Sequence, residues 1–590
     1  MRFLLSNFNL IILITWFLTF FVILPFKDVL LTDNFSIWLF LLLSFLAGCL
    51  GQFITAYRYV PTKSSSSRNF FAYNIYKYIE SIVISSILTL LVAFFKNVYK
   101  STGSLYEDQF VELIGQRKEY ANNYPIIFSF LSEYAIPCFI PSILFMITFH
   151  LYSNFKFQIN DYRKSFSISF RILPLFYFVS AFYLYSIVVK PIPPRDPNSP
   201  IFDNIIISSP FLLNFSEKKK NIIYISLESL DTVVFHEKYG GCFDREIIPF
   251  MEELALDKNN VHFSHIKYPN LGGMSIPPRL DFTTASAFGA TCGVPYVGIR
   301  DWRDHSDGFL NNLNCIGELL TKNGYITSAT FGTERTDFSY GRVFQHHKFQ
   351  RIFSKRDIRN SYQWLEDKDT YEFFKKELTY LSNTTQPFMA FMCTLDTHEP
   401  GHVCDLCPDT NSPPALKSIE CADRQLKKFL DWAQKQEWYK NTVFLIYGDH
   451  ISRDSNFKQK AKDHNYTKKS YNVIINSEKK ANRTHERLFT VLDLLPTVLN
   501  AAGIEIRGNQ LGLGVSLFSN LPTGLERFGD KFEEMFNQMT YWYDTVINNK
   551  LIPVNDNNIG FKILNYSFRT QYTNFTEEFQ KSITNYTFIS

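Results

Sequence analysis

Asn221-Ile-Ile-Tyr-Ile-Ser-Leu-Glu-Ser-Leu230 decides how this chain folds. An apolar run ends on a carboxylate, Glu228. About 220 residues later the pattern recurs as Val443-Phe-Leu-Ile-Tyr-Gly-Asp-His450. Short apolar runs of this kind fit strands buried on both faces. Open α/β sheets take their ligands at the carboxyl edge of their strands, so each run brings ligand chemistry to that edge.

The surrounding pattern agrees. Phe388–Thr394 and Val473–Ile475 read as further strands beside Asn221–Leu227 and Thr442–Tyr447. Helical stretches fit Ile248–Ala255, Cys315–Asn323, Cys421–Lys435 and Thr490–Ala502. Strands alternating with helices predict an α/β domain with a mostly parallel sheet. Pro191-Ile-Pro-Pro-Arg-Asp-Pro-Asn-Ser-Pro200 reads as a stiff, extended linker before it. The expected organisation is a membrane block over 1–190, a linker over 191–220, a catalytic domain over 221–520 and an extension over 521–590. That extension is rich in Asn, Tyr and Phe and carries no readable motif.

With 590 residues the chain exceeds one domain. Its net charge of +4 gives no electrostatic case for nucleic acid. The long apolar stretches crowd into the first 190 residues. Five of them, Leu10–Phe26, Ser36–Thr55, Tyr78–Phe95, Leu131–Tyr152 and Ile172–Val189, approach the ~20 residues a membrane-spanning helix needs. A cleaved signal peptide is the alternative for the first, but no small-residue cleavage site follows it. The third is weakest, with Glu80 at its edge. Arg58, Lys63, Arg68 and Lys77, with Lys156, Arg163 and Lys164, place their loops and the N-terminus in the cytoplasm. Lys96, Lys100, Arg117 and Lys118 oppose that bias. Five spans then put everything after Lys190 outside, periplasmic or extracellular, with the chain a multi-pass protein of the cell (inner) membrane.

Seven of the nine cysteines fall in that outer part, where disulfides persist. Cys404-x-x-Cys407 is open to two readings, disulfides or half a zinc site. No second such motif completes the latter. An odd count leaves at least one thiol free. Eight Asn-x-Ser/Thr sequons also lie on the outer side, which matters only in a eukaryotic secretory pathway.

Four segments carry chemistry. Glu228 alone fits a helix cap or surface residue as well as a ligand. Asp449-His450 offers an oxygen and a nitrogen to a divalent cation, a mixture suited to Mn2+ or Zn2+, with Mg2+ possible; the alternative is an ordinary turn. Phe282-Thr-Thr-Ala-Ser-Ala-Phe288 supplies hydroxyl nucleophiles, or else a capped helix entry. At a helix start, Thr283 would gain the free N–H groups that hold phosphate. His398, in Asp396-Thr-His-Glu-Pro400, could protonate a leaving alkoxide or touch a phosphate oxygen. His464 is a further candidate contact whose spacing from His450 fits poorly.

Together these segments resemble the alkaline phosphatase/sulfatase superfamily. Within it they look like the membrane-anchored phosphoglycerol and phosphoethanolamine transferases, which include lipoteichoic acid synthases. The phosphoglycerol transferase I branch matches best. Its marks are Leu227-Glu-Ser-Leu230, Thr283 nine residues before Cys292-Gly-Val-Pro295, Leu395-Asp-Thr-His-Glu-Pro400, Gly448-Asp-His450 and Gly512-Leu-Gly-Val-Ser-Leu517.

The resemblance implies one divalent metal held by Glu228, Thr283, Asp449 and His450, with Thr283 as nucleophile and Thr283-x-x-Ser286 at the family's spacing. It implies a substrate-side role for His398, a headgroup contact for Arg342 in Phe338-Ser-Tyr-Gly-Arg342, and a Cys292–Cys315 disulfide. The implied reaction moves a phosphoglycerol headgroup from a phospholipid donor, phosphatidylglycerol, to a glycan or polymer acceptor. Phosphoethanolamine transfer and hydrolysis, of the sulfatase or phosphodiesterase kind, are the alternatives. A degenerate membrane receptor is the non-enzymatic one. Glu399 stands where the branch usually has His. Ser275-Ile-Pro-Pro-Arg279 mimics a sulfatase nucleophile motif but lacks its continuation, which ranks Ser275 below Thr283.

Overall fold

The structure, a computed structural model, describes residues 172–539 apart from 297–312, 360–363 and a few single positions. Parts of 91–110 and three short strands between 552 and 567 complete it. The chain divides into two compact units, Met1–Ile192 and Pro193–Ser590.

In the first unit, the expected spans Leu10–Phe26, Ser36–Thr55 and Leu131–Tyr152 lie outside the described residues, as does most of Tyr78–Phe95. The fifth is helix α1, Ile172–Val188. At about 1.5 Å per residue its 17 residues reach about 26 Å, short of a ~30 Å hydrocarbon layer. Among the described residues no helix is long and apolar enough to cross a membrane. The rings of Phe95, Phe110 and Tyr185 pack on one another within that unit.

The second unit is built on a six-stranded sheet. Its strands are β1 (Asn221–Leu227), β2 (Ile326–Phe331), β3 (Arg351–Phe353), β4 (Phe388–Cys393), β5 (Thr442–Gly448) and β6 (Asn472–Ile475). They run in the order β3-β2-β4-β1-β5-β6. All neighbours are parallel except β6, which is antiparallel to β5. The two strands that end on Glu228 and Asp449 therefore lie side by side, with Leu227 opposite Gly448.

Successive side chains of a strand point to opposite faces. On β1, Ile222 and Tyr224 join one core with Val443, Leu445 and Tyr447. Ile223, Ile225 and Leu227 join the other with Phe444 and Ile446. Both faces are dry, so the sequence shows no polar alternation. Truncating Ile223 or Ile225 to Ala would cost about 2–5 kcal/mol.

Helices cover both faces. Buried residues of α2 (Pro249–Leu256), α5 (Asp367–Ser382), α6 (Pro414–Ala433) and α7 (Ser455–Asp463) join the Ile223 core. Those of α3 (Thr283–Cys292), α4 (Ile316–Thr321) and α8 (Leu494–Ala501) join the Ile222 core. Helix α6 begins at Pro414, earlier than the expected Cys421, because Pro suits the first helical turn. The stretch expected as one helix over Thr490–Ala502 opens as a 3-10 turn, Val491–Asp493, before α8. Strands β2 and β3 and helix α5 had no counterpart in the sequence reading.

Segments on either side of this core pack onto it. Leu213–Asn214 pairs with Glu505–Ile506, and Ile206 bridges Gly512. Leu525, Phe532, Phe536 and Met539 sit in the Ile222 core.

Two disulfides form among the described residues. Cys292–Cys315 ties the end of α3 to the start of α4, and Cys407–Cys421 ties a loop to α6. Cys404 and Cys407 do not bond to each other. Cys242, Cys393 and Cys404 are free and buried.

Candidate active site at the carboxyl edge of the sheet

Strand β1 ends at Leu227, and the chain turns sharply at Ser229, which adopts a left-handed φ of 51°. A non-glycine residue there is uncommon and carries backbone strain. The turn aims two donors at two acids. The Ser229 N–H donates to Asp449 Oδ1 at 2.7 Å, and its hydroxyl donates to Glu228 Oε1 at 2.7 Å.

Glu228, Asp449 and His450 are almost fully buried, and their ligand atoms lie within 4.8 Å of one another. His450 Nε2 stands 3.3 Å from Glu228 Oε1 and 3.6 Å from Asp449 Oδ2. Burial and the Glu228 charge push the Asp449 carboxyl up to about 7. Burial would lower His450, but the charges of Asp449 and Glu228 raise it to about 9. Burial would raise Glu228, yet the His450 charge and hydrogen bond, helped by His398 and Ser229, pull it well below the carboxylate range.

Thr283 is the first residue of α3. Its Oγ1 donates to Glu228 Oε2 at 3.0 Å. The N-cap, Phe282, offers no side-chain hydrogen bond. Thr283 is thus not spent on capping, the alternative its sequence left open. Ser286, one turn on, is buried beneath it.

This donor set fits a divalent cation. Asp449 Oδ2 is buried and has no hydrogen-bond partner, a costly state for a carboxylate oxygen that a cation would relieve. Two carboxylates, an imidazole and a hydroxyl converge there, the mixed oxygen and nitrogen set that such ions take.

The loop after β4 forms the next wall. Thr397 Oγ1 donates to the Glu228 carbonyl at 2.5 Å, and His398 follows it, exposed. His398 lies close enough for its charge to act on Glu228. Asp396 and Asp367 clasp the base of this loop. Each accepts the other's backbone N–H, and Asp396 Oδ1 also accepts from the Trp364 indole at 2.9 Å. Burial pushes Asp396 up to about 6. Glu399 accepts from the Ser452 hydroxyl at 2.7 Å and from the Arg453 N–H, so it joins the loops after β4 and β5.

The remaining candidates are less central. Arg342 is partly exposed on the helix Tyr340–His346. His464 is not brought to the cluster: its ring nitrogens meet the Lys460 carbonyl at 2.9 Å and Glu237 Oε1 at 3.3 Å. Ser275 accepts from Lys469 Nζ at 2.7 Å. Sequence reading missed Ser229, Thr397 and the Asp367–Asp396 clasp. The last joins residues 29 apart, and nothing local marks it.

Residues 220–504 match the Sulfatase family model. A lipoteichoic acid synthase of Staphylococcus saprophyticus is 26% identical over 331 residues, 51% of this chain and 48% of that protein. One of Staphylococcus aureus is 24% identical over 326 residues, with the same two shares. The chain spans about half the length of these relatives. Among solved structures, the lipoteichoic acid synthase LtaP of Listeria monocytogenes is 17% identical with a TM-score of 0.44, covering 61% of this chain and 99% of that one. The Streptococcus pyogenes phosphoglycerol transferase GacH, in complex with sn-glycerol-1-phosphate, is 14% identical with a TM-score of 0.36, covering 59% and 88%. On the family match, the chain carries a Sulfatase-family domain over residues 220–504.

Proposed function

We propose that this chain is a membrane-anchored phosphotransferase that moves a phosphoglycerol headgroup from phosphatidylglycerol to an envelope glycan or polymer. One observation carries the reading: the Thr283 hydroxyl donates to Glu228 at the rim of the Glu228–Asp449–His450 cluster. The similarity to lipoteichoic acid synthases supports the choice of headgroup.

Glu228, Asp449, His450 and Thr283 would hold one divalent ion, Mn2+ or Zn2+. When bound, such an ion supplies positive charge that favours the ionised threonine and offsets the phosphate. Thr283 Oγ1, oriented by its hydrogen bond to Glu228, gives its proton to solvent and attacks phosphorus. The phosphorus–oxygen bond to diacylglycerol breaks, and His398, on the exposed side, delivers a proton to that leaving oxygen. The headgroup now rests on Thr283 as a phosphodiester. An acceptor hydroxyl then attacks phosphorus and gives its proton to His398, the bond to Thr283 breaks, and the threonine takes up a proton from solvent. N–H groups at the start of α3 face the phosphate throughout. The anchor, with its catalytic unit outside the membrane, suits a lipid donor.

Headgroup-labelled phosphatidylglycerol and phosphatidylethanolamine, offered separately to the purified chain, test this. Glycerol phosphate should move to the acceptor, and Thr283→Ala should stop it. Transfer of ethanolamine phosphate instead, or wild-type rates in Thr283→Ala, would sink the reading.

A further inference from the structure

Beyond the Glu228–Asp449–His450 cluster, three sulfur atoms crowd together where the loop that follows His398 meets α6. Cys407 and Cys421 are bonded. The free Cys404 lies with its Sγ 3.7 Å from Cys407 Sγ and 3.9 Å from Cys421 Sγ. A thiol this close to both sulfurs of a disulfide can attack either once its side chain turns into line with the S–S bond. The surroundings suit exchange. Gln425, on α6, is buried, and its Nε2 lies 3.4 Å from Cys421 Sγ and 4.0 Å from Cys404 Sγ. It can donate to whichever sulfur carries negative charge. Its Oε1 is buried with no hydrogen-bond partner.

We propose that Cys404, Cys407 and Cys421 form an exchange site in which one disulfide moves among three positions. The Cys404 thiol gives its proton to solvent and its sulfur attacks Cys407 Sγ. The Cys404–Cys407 bond forms, the Cys407–Cys421 bond breaks, and the Cys421 thiolate leaves and takes up a proton. Attack on Cys421 Sγ instead gives Cys404–Cys421 and frees Cys407. Two electrons stay in one disulfide throughout, so no oxidant or reductant is consumed. Burial raises the Cys404 thiol above its usual range, which keeps it protonated at rest and the exchange slow.

The isomers differ in what they tether. Cys407–Cys421 and Cys404–Cys421 both fix the loop to α6, at points three residues apart. Cys404–Cys407 closes a small ring within the loop and releases it from α6. The same loop carries His398, so the exchange sets how firmly that side of the site is held. The ring of His402 in this loop stacks on Trp364 at 3.5 Å, and Asp405 pairs with Lys368 at 2.5 Å, so the loop keeps other anchors during exchange.

The full chain, incubated without reductant, is quenched in acid, unfolded, alkylated with iodoacetamide and mapped by peptide mass. The expected result is alkyl mass shared among Cys404, Cys407 and Cys421, with a Cys404-linked peptide present. In Cys404→Ser, alkylation of Cys407 and Cys421 should be lost. Alkyl mass on Cys404 alone overturns the proposal. So does alkylation of Cys407 and Cys421 that persists in Cys404→Ser, since incomplete oxidation then explains it. The Cys292–Cys315 peptide, intact in both proteins, reports that the domain has folded.

Discussion

Thr283 Oγ1 lies 3.0 Å from Glu228 Oε2, although the two residues stand 55 apart in the chain. One starts helix α3 and the other ends strand β1, so the sheet edge brings a hydroxyl to a buried carboxylate. Glu228→Gln keeps the side chain's shape and removes its charge. Transfer should fall at least about 100-fold, since the lost charge both orients the Thr283 hydroxyl and would hold the ion, and even outer partners of a metal site are worth about 10–100-fold. Steady-state rates with labelled lipid check this; a change under threefold would detach Glu228 from the chemistry.

Removing metal should lower both activity and stability. A cation at 100 times its Kd stabilises a folded protein by about 2.7 kcal/mol. Exhaustive chelation should therefore reduce the melting temperature and abolish transfer, and Mn2+ or Zn2+ should restore both. In Asp449→Asn the restoring shift should shrink, because the buried Oδ2 that lacks a partner is the atom replaced.

Gly448 immediately precedes Asp449, and no side chain fits there. A Cβ at this position would lie 2.2 Å from the Leu230 carbonyl oxygen and 2.5 Å from Ser470 Oγ. Gly448→Ala must push β5 away from the turn after β1. It should cost about 1–3 kcal/mol, the usual penalty for overpacking, and weaken metal binding with it. Denaturant melts and metal titration read the two effects separately.

His262 predicts acid sensitivity. It is buried, its Nδ1 lies 2.6 Å from the Asn472 carbonyl, and burial pushes its pKa down to about 4. The folded state thus resists protonation more than the unfolded chain, whose histidine titrates near 6.5. Stability from this residue is full above about pH 6.5 and is lost as pH falls towards 4. Between pH 7 and 5 the loss is about 2 kcal/mol. His262→Gln should flatten that slope in denaturant melts, whatever it costs at neutral pH.

The strands β1, β4, β5 and β6 were legible because burial on both faces writes an unbroken apolar run. Strand β2, Ile326-Thr-Ser-Ala-Thr-Phe331, was not. Its Thr327, Ser328 and Thr330 are buried, and Ser328 donates to Glu377, so a polar-looking strand lies inside the sheet. Glu228, Asp449 and His450 lie together at the carboxyl edge of the sheet, with the Thr283 hydroxyl against Glu228. His464 does not join them, since its nitrogens go to Lys460 and Glu237. The Cys407–Cys421 pairing could not be read from spacing, because Cys404 and Cys407 are equally placed to reach α6.

Covalent transfer through Thr283 is the central claim, and the mass of one peptide tests it most directly. The full chain is mixed with phosphatidylglycerol and no acceptor, quenched in acid and digested. A glycerol-phosphate adduct on Thr283, absent from Thr283→Ala, is the predicted result. Release of glycerol phosphate with Thr283 unmodified, or an adduct on Ser275 instead, would contradict it.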